Sequence, residues 1–363
     1  MPEMRFSAGR PRPDPPNCSA GVLAEKIFVK LLYNRAMKIS VKELREKVVA
    51  TLQKNFTENE ATRIAEYLLW ADMSGIKTQG VIKMTGTEPL QDIRPKEEIK
   101  IERDTKLSQL INAGAYPAPL VSQQATDAVI EKAKEHGFAI VGVHNTFSSN
   151  GAQSYYAQRI AEENLIGIVM ARSPGAFAPF DSIDPLFGTN PISFSFPTND
   201  EPLVFDTATS AMTFYGLVLA KARGEKIPEN IAIDKDGNPT TDPERAMSGA
   251  ILPFDRGYKG SGFGMVVEIM AGPLANSAYA DYKTYDKEWG STFIAIDPEL
   301  LVDIAKFKTE VSDLVEIIKN SRKKSGVSEI RLPGERAKQS YNEALKTGLV
   351  EVDDAILEQL GYK

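Results

Sequence analysis

The tightest constraint on the fold is an alternation in the middle of the chain. Ser122 to His136 carries helical periodicity and is stopped by Gly137. Phe138-Ala139-Ile140-Val141-Gly142-Val143 follows, an apolar run of strand length. Gln153 to Asn164 is helical again, and Ile166-Gly167-Ile168-Val169-Met170 reads as the next strand. Ile192–Phe196 and Thr292–Ile296 are further strand candidates. Helices and strands that take turns in this way predict an α/β architecture.

The flanks read differently. Residues 1–19 hold five prolines and little to bury, so they are expected to form a tail or an extended arm. Residues 20–110 are expected to be a helical N-terminal part. Ser40 with Glu43, and Thr57 with Glu60, have the spacing of capping boxes. The helix after Thr57 is expected to bury Ala61, Ile64, Ala65, Leu68 and Leu69. Helical periodicity returns over 299–320, and Glu335 to Leu360 is expected to be mostly helical. Lys319, Arg322, Lys323 and Lys324 make a short basic run, read as solvated surface.

Composition narrows the class. Of 363 residues, 42% are hydrophobic and 25% charged, enough apolar material for one large domain or two. With 43 basic against 49 acidic residues the net charge is -6, which argues against a dedicated nucleic-acid binder. Cys18 is the single cysteine, so an intrachain disulfide and a multi-cysteine metal site are excluded. No signal peptide or membrane-spanning run is visible, and a cytoplasmic location is expected.

Several segments have residue types suited to chemistry. Asp206-Thr207-Ala208-Thr209-Ser210 follows the apolar Leu203-Val204-Phe205, so its polar groups either face a ligand at a strand end or, through Thr209 or Ser210, cap a helix. Gly257-Tyr258-Lys259-Gly260-Ser261-Gly262-Phe263-Gly264 precedes apolar Met265–Met270. Its amides and Lys259 suit a phosphate, while its glycines equally suit tight helix packing. The spacing is not that of the usual dinucleotide glycine fingerprint. Ser173-Pro174 opens a proline- and glycine-rich stretch read as a shaped loop. Arg172 is either a clamp for a substrate carboxylate or a surface arginine.

Only two histidines are present, His136 and His144. His144 directly follows a strand and is the better catalytic candidate, against a solvated loop histidine as the plainer reading. His136 sits at a helix end, where a positive ring favours the local dipole. Neither has metal-ligand spacing, so no metal site is expected. Taken alone, Thr78, Gln79, Lys83 and Ser149 are ordinary polar residues, and Gly334 with Glu335 simply starts the last helix.

Taken together, the segments carry a resemblance. Ala71-Asp72-Met73-Ser74-Gly75-Ile76-Lys77-Thr78-Gln79-Gly80-Val81-Ile82-Lys83 and Asn145–Gly151 look like dehydrogenase signatures. With Leu186–Pro191, Asp206–Ser210, Thr240–Pro243, Lys259–Gly262 and Leu332–Arg336 they resemble the malate/L-lactate dehydrogenase family of the non-Rossmann type, across roughly residues 39–360. The family includes ureidoglycolate, sulfolactate and diketogulonate oxidoreductases.

The resemblance implies a non-Rossmann α/β fold with a largely helical second domain. It places the cofactor-binding part at 111–298, and at 299–363 a helical part packed with the N-terminal one. It implies a homodimer, NAD or NADP as cofactor, and a small anionic substrate. The cofactor would meet Ser173, Asp206, Thr207, Ala208, Thr209, Ser210, Lys259, Gly260, Gly334 and Glu335. Thr78 and Arg172 would face the substrate, and Gln79, Lys83, His144 and Ser149 are the catalytic candidates.

The chain departs from the family where a proton is handled. Thr78-Gln79-Gly80 and Lys83 stand where relatives carry Ser-His-Gly and an arginine, and Ser148-Ser149-Asn150-Gly151 stands where a second histidine is usual. Hydride transfer to a carbonyl needs a proton for the developing alkoxide, and glutamine is no acid at neutral pH. Lys83 can hold an anion, without the two-pronged geometry of arginine. The favoured expectation is an NAD(P)-dependent oxidoreductase acting on a 2-oxo acid, 2-hydroxy acid or ketimine. A nicotinamide-nucleotide-binding protein with impaired catalysis, or an isomerase or lyase reusing the site, stand as alternatives.

Overall fold

The computed structural model describes residues 36–85, 89–280 and 288–362. The expected arm at 1–19, with Cys18, and residues 20–35 lie outside the described residues.

The described chain begins with strand β1, Ala36–Ser40, then helices α1, Val41–Leu52, and α2, Glu58–Met73. At α1 half a capping box forms: Ser40 Oγ accepts the Glu43 N–H at 3.5 Å. At α2 both halves form, with Thr57 Oγ1 accepting Glu60 N–H at 3.4 Å and Glu60 Oε2 accepting Thr57 N–H at 2.8 Å. Ala61, Ile64, Ala65, Leu68 and Leu69 are buried, as the periodicity predicts. Two short 3₁₀ turns, Lys77–Gln79 and Val81–Met84, carry the first signature beyond the end of α2.

A sheet follows. Its strands are β2, Lys100–Asp104; β3, Ser108–Asn112; β4, Phe138–Thr146; β5, Ile166–Arg172; β6, Ile192–Phe196; and β7, Leu203–Thr207. Helix α3, Ala118–His136, crosses from β3 to β4, and α4, Gln153–Glu162, lies between β4 and β5. The next segment holds α5, Phe214–Arg223; the two-residue strands β8, Ala232–Ile233, and β9, Ala250–Ile251; and α6, Pro243–Ser248. Helix α7, Tyr258–Ala271, then leads to β10, Trp289–Ile296.

The large sheet has the order β2-β3-β4-β10-β5-β6-β7. Only β3 and β4, joined through α3, pair in parallel; the other five pairings are antiparallel. Alternation divides its two faces. Val141, Val143, Val169 and Phe293 join the main core with residues of α2, α3 and α4. Met170 and Ile192 on the other face meet Val267 and Ala271 of α7. With helices on both sides, the central strands are apolar throughout, which explains the continuous runs in the sequence.

Helices α8, Ile304–Lys319, and α9, Glu335–Thr347, come next. Strand β11, Leu349–Asp353, and α10, Asp354–Gln359, follow. The sequence reading of 335–360 as mostly helical missed β11, a five-residue strand that pairs antiparallel with β1. Its partner lies more than 300 positions away, so no local pattern announces it. The α3 helix begins at Ala118 rather than Ser122, because Pro119 sits in its first turn, where a missing N–H costs nothing. Gly137, at φ +81°, ends it.

Candidate active site

A cleft of about 1460 Å³ is lined from several directions. The turn after α2 contributes Thr78, Gln79 and Lys83, and the loop after β4 contributes Ser149, Gly151 and Ala152. Ser173 follows β5, and Asp206, Thr207 and Ala208 come from the end of β7. Phe214 and Tyr215 enter from α5, Trp289 from β10, and Leu332 to Lys338 from the start of α9. The cleft therefore collects loops from both the sheet and the flanking helices.

The two signature loops are pinned from behind. Beneath the first, Asp72 is 4% exposed, and its Oδ2 accepts the Val81 N–H at 2.7 Å. Burial pushes the Asp72 carboxyl up to about 7, against the opposing pull of the Lys77 ammonium 3.9 Å away and of the Val81 amide. A Cβ at Gly80 would overlap this carboxylate, so the turn closes over Asp72 only with glycine there. Beneath the second loop, Tyr67 Oη accepts the Ala152 N–H at 2.7 Å, and Tyr156 Oη donates to the Asn150 carbonyl at 2.8 Å. The Asn150 amide donates to Ser122 Oγ and Ser291 Oγ, each at 2.7 Å. Gly151 sits at φ +84° with its Cα against the Tyr67 hydroxyl.

Within the cleft, the Lys83 ammonium lies 5.5 Å above the Tyr215 ring. Asp206 accepts the Ser154 N–H at 2.9 Å, at the first turn of α4. Gln79 Oε1 and Trp289 Nε1, buried polar atoms of cleft-lining residues, have no hydrogen-bond partner among the described residues. Such atoms cost free energy unless a ligand or water completes them. Along the α9 side, Lys319 pairs with Glu335 at 2.6 Å and Lys338 with Glu201 at 3.0 Å, while Arg336 makes no hydrogen bond or ion pair among the described residues.

The cleft thus unites Thr78, Gln79, Lys83, Ser149, Ser173, Asp206, Thr207, Ala208, Gly334 and Glu335. Other candidates lie elsewhere. Arg172 is fully buried: its Nη1 donates to the Glu288 carbonyl at 2.6 Å and its Nε lies 3.4 Å from Glu268. It is an internal ion pair rather than a substrate clamp or a surface residue. His144 points toward β2, with Nε2 2.9 Å from Glu102 Oε2, and is not among the cleft residues. The Asn112 amide, and then His144, hold the Glu102 carboxyl below its usual range. His136 lies beside Glu135 at 3.6 Å.

Thr209 and Ser210 also turn away. Thr209 Oγ1 donates to the Asn190 carbonyl at 3.1 Å, and Ser210 Oγ donates to the Met212 carbonyl at 2.7 Å. The helix-cap reading of these two is overturned, because Thr213 caps α5 by accepting the Gly216 N–H at 3.1 Å. Lys259 and Gly260 are not among the cleft residues either. The amides expected to hold a phosphate face Asp255, whose Oδ1 accepts the Gly257 and Gly260 N–H groups at 2.9 and 3.0 Å. Gly264 packs on Phe177, so close packing explains that glycine.

Sequence reasoning missed Trp289, Tyr215, Asp72 and Tyr67. Asp72 was visible as an acid within the first signature, but its burial was not. The other three are aromatic residues in apolar surroundings, and nothing local distinguishes them from core.

Residues 39–361 match the malate/L-lactate dehydrogenase family. The malate/(S)-sulfolactate dehydrogenase of Methanothermus fervidus is 34% identical over 335 residues, covering 89% of this chain and 96% of that protein. The structure of sulfolactate dehydrogenase from Methanocaldococcus jannaschii superposes with a TM-score of 0.79 at 30% identity, covering 89% and 95% of the two chains. That of Δ1-piperideine-2-carboxylate reductase from Pseudomonas syringae pvar. tomato superposes with a TM-score of 0.78 at 28% identity, covering 89% and 98%. The chain belongs to the malate/L-lactate dehydrogenase family, and oxidoreductase chemistry is the general role of its fold. No helix among the described residues is long and apolar enough to cross a membrane.

Proposed function

We propose that the protein is an NAD(P)-dependent oxidoreductase that transfers hydride to or from a small anionic 2-oxo acid, 2-hydroxy acid or ketimine. One observation carries the reading. A cleft of about 1460 Å³ joins the first-signature residues Gln79 and Lys83 to the Asp206–Ala208 and Gly334–Glu335 segments. That volume exceeds the roughly 300–1,000 Å³ of ordinary small-molecule pockets and suits a dinucleotide with a small acid beside it.

The residues present fit a nicotinamide dinucleotide. Arg336, unpaired among the described residues, offers its guanidinium to a phosphate, and Trp289 offers its indole N–H to a ligand acceptor. Gly334, at φ +83°, brings backbone close to Val204, which leaves the wall of the cleft free of a side chain there. Ser173, Asp206, Thr207, Ala208, Gly334 and Glu335 would hold the cofactor. When bound, it supplies or accepts the hydride. The Lys83 ammonium would hold the substrate carboxylate, Thr78 and Ser149 would orient its polar edge, and Gln79 would hydrogen-bond the reacting group. Asp72 and Tyr67, from behind, keep both loops in place.

The relatives' names cover malate, sulfolactate and a cyclic imino acid, so all three substrate kinds stay in the proposal. Homodimerisation is supported by the exposed apolar flank of α7, where Phe263, Met265, Val266 and Ile269 are each about half exposed. A cytoplasmic site of action accords with one cysteine in 363 residues. The test is direct. Calorimetry with NADH and NADPH should show binding of at least one, and its absorbance should fall when a panel of 2-oxo acids, with and without amines, is added. Absence of binding by either dinucleotide overturns the reading.

A further inference from the structure

Hydride transfer in this cleft leaves the source of the proton unassigned, and the inference about that proton rests on the oxidoreductase reading. No imidazole of the described residues lines the cleft, since His144 is engaged with Glu102 and His136 lies beside Glu135. Burial pushes the Tyr215 hydroxyl up, so it holds its proton more tightly than a free phenol. Gln79 stands in the signature instead, with Oε1 lacking a hydrogen-bond partner among the described residues. A primary amide, turned about its last bond, presents a carbonyl acceptor or an NH₂ donor but yields no proton at neutral pH. A ketone that accepts hydride becomes an alkoxide and needs a proton from its surroundings. A protonated imine carries that proton in with it.

We propose that the cleft takes protonated 2-imino acids in preference to the matching 2-oxo acids, with the imine N–H donating to the Gln79 carbonyl and the carboxylate facing Lys83. The imine carbon gains a hydride supplied by a reduced nicotinamide dinucleotide, which is oxidised by two electrons. The π pair of the C=N bond moves onto nitrogen, which keeps its proton. The product is a neutral amine that takes up a further proton from water after release. No bond to the protein forms, and no side chain gives up a proton. A 2-oxo acid in the same place turns an oxygen toward Gln79, leaves the Gln79 carbonyl unpaired or meets only its amide N–H, and meets no imidazole of the described residues, while the Lys83 ammonium is taken up by its carboxylate.

The experiment compares, on the full chain with NADH and NADPH, a cyclic 2-imino acid and the 2-oxo acid of equal carbon number. The imine should show a kcat/KM higher by about tenfold or more. Its rate should fall as pH rises through the imine's own pKa, and that inflection should move when an imine of different basicity is used. A second measurement needs no turnover. With the oxidised dinucleotide present, calorimetry should find the saturated secondary-amine ring acid bound about tenfold tighter than its ring-ether counterpart, and Gln79→Leu should erase the difference. Gln79→His should raise 2-oxo acid reduction by about tenfold or more. Equal or faster use of the oxo acid, a pH inflection indifferent to the imine's basicity, equal binding of the two ring acids, or dinucleotide binding without imine turnover each overturns the inference and leaves the family assignment intact. Failure of both dinucleotides to bind overturns the oxidoreductase reading itself.

Discussion

The carboxyl of Asp72 is the place where pH and stability should be most visibly linked. It is 4% exposed, accepts one amide hydrogen bond at 2.7 Å, and has its counter-charge, the half-exposed Lys77, at 3.9 Å. Burial therefore wins, and the pKa rises from 3.8 to about 7. A raised carboxyl pKa means that the native state binds a proton more tightly than the unfolded chain. Stability is thus fully retained below the unfolded pKa and declines as pH rises between the two values, levelling above the folded one. At about 1.4 kcal/mol for each tenfold, the shifted titration of Asp72 costs the fold about 4 kcal/mol near pH 8, about 2 kcal/mol near pH 5, where the unfolded chain is ionised and the native carboxyl is not, and almost nothing near pH 3. Asp72→Asn keeps an oxygen for the Val81 amide and removes the charge. Urea denaturation of both proteins across this range should show the asparagine variant gaining stability in that pattern. A variant that is less stable near pH 8, or a difference that does not change with pH, would refute the reasoning.

Other expectations concern single contacts. Arg172→Met takes the guanidinium from the buried Glu268 carboxylate and should cost about 3–5 kcal/mol by denaturant midpoint, and adding Glu268→Leu should not restore the loss, because the Asn190 amide and the Ala280 N–H would then lack their acceptor. Gly151→Ala forces a Cβ into the Tyr67 hydroxyl at φ +84°, and should lower stability by more than about 2 kcal/mol, seen as a lower melting temperature. Lys83→Ala should raise KM for an anionic substrate by about ten- to a hundredfold, with Lys83→Arg restoring most of it in steady-state kinetics. His144→Gln should leave the pH–rate profile unchanged, because the ring is engaged with Glu102 and lines no part of the cleft.

The α/β core was legible because its signals are local. Strand β6 was read to the residue, and α3 ends at the glycine that the sequence points to, since an αL stop needs only its own neighbours. Pairings between distant segments were not legible: β10 lies between β4 and β5, and β11 reaches back to β1. The site divided on the same line. Gln79, Lys83 and Asp206 follow from segment patterns and do meet in one cleft. Arg172 and His144 each sit at a strand end that looks suited to a ligand, but the direction of a side chain depends on which face the neighbouring strands cover. For Arg172 that face holds Glu268, and for His144 it holds Glu102.

The pairing of β1 with β11 has a consequence for biogenesis. Ala36 meets Asp353 and Ser40 meets Leu349, so the first described strand waits for its partner among the described residues until β11 has been synthesised. At about 5–20 residues per second, that wait on the ribosome is roughly 15–60 s, far longer than collapse of the intervening sheet requires. Throughout it the backbone groups of β1 that pair with β11 are open for another nascent chain to add to. Closure of this small clasp therefore comes long after β1 itself is made, and crowded polysomes are where it would go wrong.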